Sequence, residues 1–159
     1  MSRLYDLCLV GHADNGGFPI SPGKVMALVK RACWRSGNPP AVIGLIDGPD
    51  RIEAAVCLDC IQHWYSDAWF WVDRFLYVHP AHRRSRHAIR LLRFCRWWYE
   101  ANGRSAPVVL SIETLNERES KERLYSRYAR RVGASFVIGK LPVEEATTCA
   151  RAAVDQVKQ

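Results

Sequence analysis

Long apolar runs are missing from this chain of 159 residues. Without a stretch of about 20 apolar residues, no segment is expected to cross a bilayer as a helix. The opening residues, Met1 to Val10, lack the basic n-region, apolar core and small-residue cleavage site of a secretory signal, so a cytoplasmic protein is the expectation. Internal repeats, low-complexity tracts and a linker long enough to divide domains are also absent. One domain over residues 1–159 is therefore predicted, an ordinary size for a single core. Acidic residues are in short supply, 16 against 23 lysines and arginines, which leaves a net charge of +7. Such an excess suits an anionic partner or serves solubility, and charge alone leaves nucleic acid, an acidic surface and a phosphorylated ligand open. With 48% of the residues apolar, the bulk of the chain is expected to be ordered and globular.

Cysteines are even in number, at positions 8, 33, 57, 60, 95 and 149. The chain is too long and too rich in core residues to need disulfide staples. Each cysteine sits in an apolar stretch, which predicts reduced, buried thiols. Cys57-x-x-Cys60-x-x-His63 invites a zinc reading, but no second ligand pair follows at zinc spacing. On a strand, Cys57 and Cys60 also point to opposite faces. No metal is expected.

Periodicity and punctuation then give the order of elements. Arg3–Val10 is an apolar-rich run that predicts a strand, and Asp14-Asn15-Gly16-Gly17 marks a loop over His12–Pro19. Ser21-Pro22 opens a helix whose apolar face is Val25, Leu28, Val29 and Ala32, closed by Gly37-Asn38-Pro39-Pro40. Ala41–Ile46 and Arg51–Ile61 flank the turn Asp47-Gly48-Pro49-Asp50 and read as a hairpin. Trp69–Val78 is a third strand, rich in aromatic and branched residues. From Arg86 to Ala101 the period turns helical, with Ala88, Leu91, Leu92, Cys95 and Trp98 on one face and Asn102-Gly103 as the stop. Pro107–Ile112 is a strand, Asn116–Val132 a charged helix ended by Gly133, and Ala134–Ile138 a last strand. Residues 142–158 predict a tail helix, with Pro142 at its start, Glu144 and Glu145 in its first turn and Lys158 in its last. The fold class is α/β (α+β): a mixed, largely antiparallel central sheet flanked by helices.

The segment that carries chemistry runs from Leu76 to Ala88. It is a strand, a proline turn, the basic run Arg83-Arg84-Ser85-Arg86, and the first turn of a helix. Unpaired backbone N–H groups at a helix start attract anions, and arginines add charge and bidentate donors. Such a turn suits a pyrophosphate, and Arg90 and Arg93 extend the basic face. A solvated helix face is the plainer reading of a charge run, but its placement at a strand-to-helix turn favours anion binding.

Here the chain resembles the GNAT acetyltransferases, whose cofactor strand ends in Val-x-Pro and leads into Gln/Arg-x-x-Gly-x-Gly/Ala at a helix start. Val78-His79-Pro80 and then Arg83-Arg84-Ser85-Arg86-His87-Ala88 fit that pattern, with Arg86 where the family usually has glycine. The order of elements from Leu4 to Ile138 agrees, and Ile112 followed by Asn116 matches a family spacing. Two features depart: the helix from Asn116 to Gly133 is long for the family, and no final strand follows Ile138. The resemblance implies a divergent member of bacterial or phage type, with acetyl-CoA as co-substrate and an amine as acceptor. It also implies pantetheine contacts at Leu76, Tyr77 and Val78. Pyrophosphate contacts would lie at Arg83, Arg84, Ser85, Arg86, His87 and Ala88, with Asn116, at the start of the next helix, a further cofactor contact.

Direct transfer needs a base for the amine and an acid for the departing thiolate. Asp73 is the acidic residue on the cofactor strand and the first candidate base, against a surface carboxylate paired with Arg74. Glu113 is the second, against a helix-entry residue. Tyr125 and Tyr128 are the candidate proton donors, against plain core packing. Trp64, Tyr65, Trp69, Phe70 and Trp71 divide between core packing and the wall of an acceptor pocket. Two other functions compete with an active enzyme: a GNAT-like fold that has lost catalysis and binds a partner, and a basic nucleic-acid module. The concentration of arginines at one turn, and the lack of an RNA-binding aromatic motif, argue against the last. The acceptor is not readable from the sequence. Val143, Ala146, Ala150 and Val157 of the tail helix would suit a homodimer.

Overall fold

Leu4, Leu7 and Gly11 are buried while Ser2, Asp6, Leu9 and Ala13 are exposed, a three- and four-residue spacing that only a helix satisfies. The first element of the computed structural model is accordingly helix α1, Ser2–Asn15, and not the strand expected over Arg3–Val10. It also takes in much of the loop expected from His12. The structure describes residues 2–15, 19–34, 39–112 and 118–140.

Helix α2 (Pro22–Trp34) follows, with Val29 and Ala32 buried as its periodicity predicts. Strands β1 (Ala41–Asp47), β2 (Ile52–Gln62) and β3 (Trp69–Val78) form an antiparallel meander. A 3-10 turn, Pro80–His82, leads into α3 (His87–Ala101). Gly103 takes φ +68° just beyond it, the left-handed stop expected at Asn102-Gly103. After α3 come β4 (Val108–Leu110), α4 (Arg118–Tyr125), β5 (Arg130–Val132) and β6 (Ser135–Ile138). The sheet order is β1-β2-β3-β4-β6-β5, antiparallel except for the β3–β4 pair. The mixed, largely antiparallel sheet with flanking helices is as expected.

The charged helix expected over Asn116–Val132 is shorter than that. Its last α-helical bonds reach Ser126 and Ala129, and the chain then tightens, Arg127 N–H donating to Leu124 and Tyr128 N–H to Tyr125. Arg130–Val132 turns back as an edge strand on β6. Gly133, φ +58°, is thus the first central residue of a two-residue hairpin turn rather than a helix stop. Residues 142–158, where a tail helix and dimer contact were expected, lie outside the described residues, as does any strand beyond Lys140.

Helices cover both faces of the sheet, and β2 shows it most clearly. Ala54, Val56, Leu58 and Cys60 pack with Leu91, Leu92 and Cys95 of α3. Ala55 packs with Leu4, Leu7 and Val29, and Cys57 with Ala32. Buried on both sides, β2 is nearly continuous in apolar residues. Cys57 and Cys60 therefore lie on opposite faces. Cys57, Cys60 and Cys95 are buried, but Cys33 is exposed on the last turn of α2, so the expectation of buried thiols fails there. The apolar spacing that buries Val29 and Ala32 leaves position 33 facing outward. Among the described residues no helix is long and apolar enough to cross a membrane.

Candidate active site

β3 and β4 pair in parallel only at Trp71↔Val108 and Val72↔Val109. Among the described residues no ladder pair joins them beyond Val72, although β3 continues to Val78. On its other side β3 bulges against β2, where Cys57 opposes Phe75, Leu58 opposes Asp73, and Arg74 is left over. The bulge puts Arg74 and Phe75 together toward α1 and α2. Asp73 and Leu76 stay on the α3 side.

This break in the sheet opens a cleft of about 590 Å³, lined by Cys8 and Leu28 from the first two helices, Asp73 and Leu76 from β3, Ser111 after β4, and Tyr125 at the end of α4. A second recess of about 230 Å³ shares Leu76, Tyr77 and Tyr125 with it and reaches Val78, Arg83 and Ala88. Leu76, Tyr77, Val78, Arg83 and Ala88, all assigned to the cofactor from sequence, thus adjoin these two neighbouring recesses, whereas Arg84, Ser85, Arg86 and His87 do not line them.

Asp73 is only 7% exposed. Its Oδ1 accepts a hydrogen bond from Ser111 N–H and another from Ser111 Oγ, each 2.8 Å. The surface pairing with Arg74 does not occur, because the bulge turns Arg74 to the opposite face. There Arg74 and Arg31 both donate to the buried carboxylate of Asp59, at 2.8 and 2.7 Å. Tyr125 is buried, its ring edge-on to Phe136. Burial first, then the charge of Asp73 and then Cys95, push its phenol well above the usual tyrosine range. Tyr125 is protonated at neutral pH, as any tyrosine is, and the upward shift makes its phenol a weaker acid. Burial likewise pushes the Cys8 thiol up to about 11, so the cysteine in the cleft wall is a poor nucleophile at neutral pH.

The basic turn starts beside the recess. His79 Nδ1 accepts from Ala81 N–H at the 3-10 turn, and Ser85 Oγ accepts from His87 N–H at the start of α3. Arg86 caps α3 with φ −88° and ψ 14°, a conformation open to any L residue. The usual glycine position therefore places no special backbone demand here. Arg84, Arg86, Arg90 and Arg93 are exposed. Arg83 is held at the recess by an ion pair with Asp14 of α1, which also accepts from Tyr77 Oη at 3.3 Å.

Other expected site residues fall elsewhere. Tyr128 is on the far side of α4, where its carbonyl accepts from Arg96. The turn that follows Tyr125 carries it away from the cleft. Trp71 is buried and meets Trp98 edge-on, while Trp64, Tyr65 and Trp69 project into solvent at the β2–β3 connection. None of the aromatic residues from 64 to 71 lines the cleft, because β3 carries them to the end of the sheet away from the basic turn. Glu113 and Asn116 lie outside the described residues. Sequence reasoning missed Ser111, a polar residue in an apolar strand run, and Asp14, read as loop.

The sequence matches no known family model and no curated protein. Solved structures do match. Arabidopsis thaliana NAA60 in complex with a bisubstrate analogue aligns over 87% of this chain and 91% of that one, at 16% identity and a TM-score of 0.61. PaiA N-acetyltransferase from Thermoplasma acidophilum in complex with coenzyme A aligns over 86% and 89%, at 12% identity and 0.58. Aminoglycoside 6'-N-acetyltransferase AAC(6')-Ig from Acinetobacter haemolyticus aligns over 82% and 87%, at 17% identity and 0.57. The chain has the GNAT acetyltransferase fold.

Proposed function

We propose that this protein is an acetyl-CoA-dependent N-acyltransferase that transfers its acetyl group directly to an amine. The observation that carries the reading is the parting of β3 and β4 beyond Val72, which opens a cleft with Asp73 and Tyr125 in its wall and the basic turn at its end. The donor set fits the co-substrate. The β3 edge at Leu76–Val78, unpaired toward β4, offers peptide groups to an amide-bearing arm. Arg83 to Ala88 offer cations and the first N–H groups of α3 to phosphates.

Acetyl-CoA supplies an activated acyl group. Asp73, oriented by Ser111, accepts the proton that the amine gives up. Tyr125 holds a proton for the departing sulfur. Cys8 stays a thiol, which favours direct transfer over a covalent acyl-enzyme. Tyr128 has no part in this scheme. Two of the similar structures hold coenzyme A or a bisubstrate analogue, which supports the co-substrate but not the acceptor.

Two measurements test the reading. Acetyl-CoA should raise the melting temperature by mass action, in a saturable way that an oligonucleotide does not reproduce. A panel of acceptor amines, read by release of free CoA, should then give turnover with at least one class. Binding without turnover for any amine would leave a GNAT-like binding protein; no acetyl-CoA binding would overturn the proposal.

A further inference from the structure

On the sheet side of the basic turn, outside the cleft, three side chains from three elements converge. Glu53 comes from β2, His82 from the 3-10 turn and His87 from the first turn of α3. Their ligand atoms all lie within 4.8 Å of one another. Glu53 Oε2 is 2.6 Å from His87 Nε2 and 3.7 Å from His82 Nδ1, and the two imidazoles stack with centroids 5.8 Å apart. We propose that Glu53, His82 and His87 bind a divalent transition-metal ion, with zinc the natural occupant.

The chemistry of the set favours this class. Two imidazoles and one carboxylate suit zinc and its borderline neighbours rather than calcium or magnesium, which prefer all-oxygen shells. The geometry needs little adjustment. Ligand atoms around a tetrahedral zinc stand about 3.3 Å apart, given metal–ligand distances of about 2.0–2.2 Å. The Glu53–His87 contact, 2.6 Å, must open by about 0.7 Å and the Glu53–His82 contact, 3.7 Å, must close by about 0.4 Å. Both are side-chain movements.

The scaffold also fixes the three groups. Glu53 sits on the most buried strand, and its carboxylate packs over Gly48, where a Cβ would collide with it. His79 N–H donates to the Glu53 carbonyl at 2.8 Å, tying the 3-10 turn to β2. His87 Nδ1 is buried with no hydrogen-bond partner among the described residues, so its ring is oriented from the Nε2 side alone. The His82 side chain remains 31% exposed, which leaves an entry path and a fourth position for water or an anion.

Cobalt(II) titration of the full chain tests the site without acetyl-CoA. A Cys33→Ser background removes the one exposed thiol among the described residues. One equivalent of cobalt should bind with the strong visible bands of a four- or five-coordinate ion, and zinc should displace it. His82→Ala lies in an exposed turn and should keep the fold, checked by its melting temperature without metal. It and Glu53→Gln should each weaken binding at least tenfold. In long-range proton–nitrogen spectra, zinc should shift His82 Nδ1 and His87 Nε2 together. Failure to bind cobalt, or affinity unchanged in both variants, or ring shifts confined to His12 or His63, would overturn the assignment. Any of these would leave Glu53–His87 as a hydrogen bond that holds α3 to β2.

Discussion

Asp73 Oδ1 accepts two hydrogen bonds from Ser111, one from its amide and one from its hydroxyl. The pair spans the gap where β3 and β4 stop pairing, so a side chain takes over from the ladder at the site where chemistry is proposed. Ser111→Ala removes one of the two bonds and leaves the amide. A hydrogen bond to a charged acceptor of this kind is worth about 1.5–3 kcal/mol. Turnover should fall by about tenfold or more, and acetyl-CoA affinity measured by calorimetry should not change.

Arg83 and Arg84 carry the proposed phosphate contact. Replacing both with Ala should weaken CoA binding at least tenfold, a loss of about 1.4 kcal/mol or more. Arg83 also ties α1 to the recess through Asp14, so Arg84→Ala alone is the control that leaves this tie intact. Calorimetry showing unchanged affinity in the double variant would remove the pyrophosphate from this turn.

Tyr125 is proposed to hold the proton for the leaving sulfur. Tyr125→Phe keeps the packing against Phe136 and removes the hydroxyl. Turnover should drop by about a hundredfold or more, with KM for acetyl-CoA little changed. Acceptance of a more acidic thiol as leaving group should recover part of the loss. An unaltered kcat would show that water protonates the thiolate.

Burial shapes the alkaline limit of stability. Cys57 is raised from its ordinary 9.0 to about 12, by burial first and then by Asp59. Raised in the folded state, the thiol contributes its full stability below pH 9, and this is lost as pH climbs toward 12. By pH 10 the loss from this one group is about 1.4 kcal/mol. Urea unfolding at pH 8 and pH 10 should show that decline, and Cys57→Val should lessen it.

Where local chemistry decides structure, the sequence was readable. The spacing of Leu91, Leu92 and Cys95, and the Asn102-Gly103 stop, specify α3. The Pro80 turn and its arginines mark the strand-to-helix corner. Leu7 to Val10 is a continuous apolar run that suits a strand as well as a helix, and only the burial of Leu4, Leu7 and Gly11 against β2 and β3 resolves it as α1. Leu124, Tyr128 and Val132 recur at helical spacing, yet Arg130–Val132 joins β6 as an edge strand too short and too charged to show alternation. Asp73 could be picked out by its strand. Its partner could not, because Ser111 is 38 residues away and nothing local joins them. The meeting of Glu53, His82 and His87 is likewise a product of the fold alone.

Asp73→Asn is the sharpest test of the proposed chemistry. Asparagine has the same shape, and its carbonyl oxygen still accepts both bonds from Ser111, so the cleft should persist. What is lost is a group able to take a proton. A positioned general base contributes about a hundred- to ten-thousand-fold, and turnover should fall by that factor with acetyl-CoA affinity nearly intact. The two quantities separate the roles. A base acts on kcat alone, whereas a residue that merely shapes the cleft affects binding and the melting temperature as well. If the variant keeps near-normal turnover from about pH 6 to pH 9, Asp73 is not the base, and Glu113 or a bound water becomes the next candidate. If it melts well below the parent and loses acetyl-CoA binding too, the carboxylate serves to join β3 to Ser111, and the base must be sought elsewhere in the cleft.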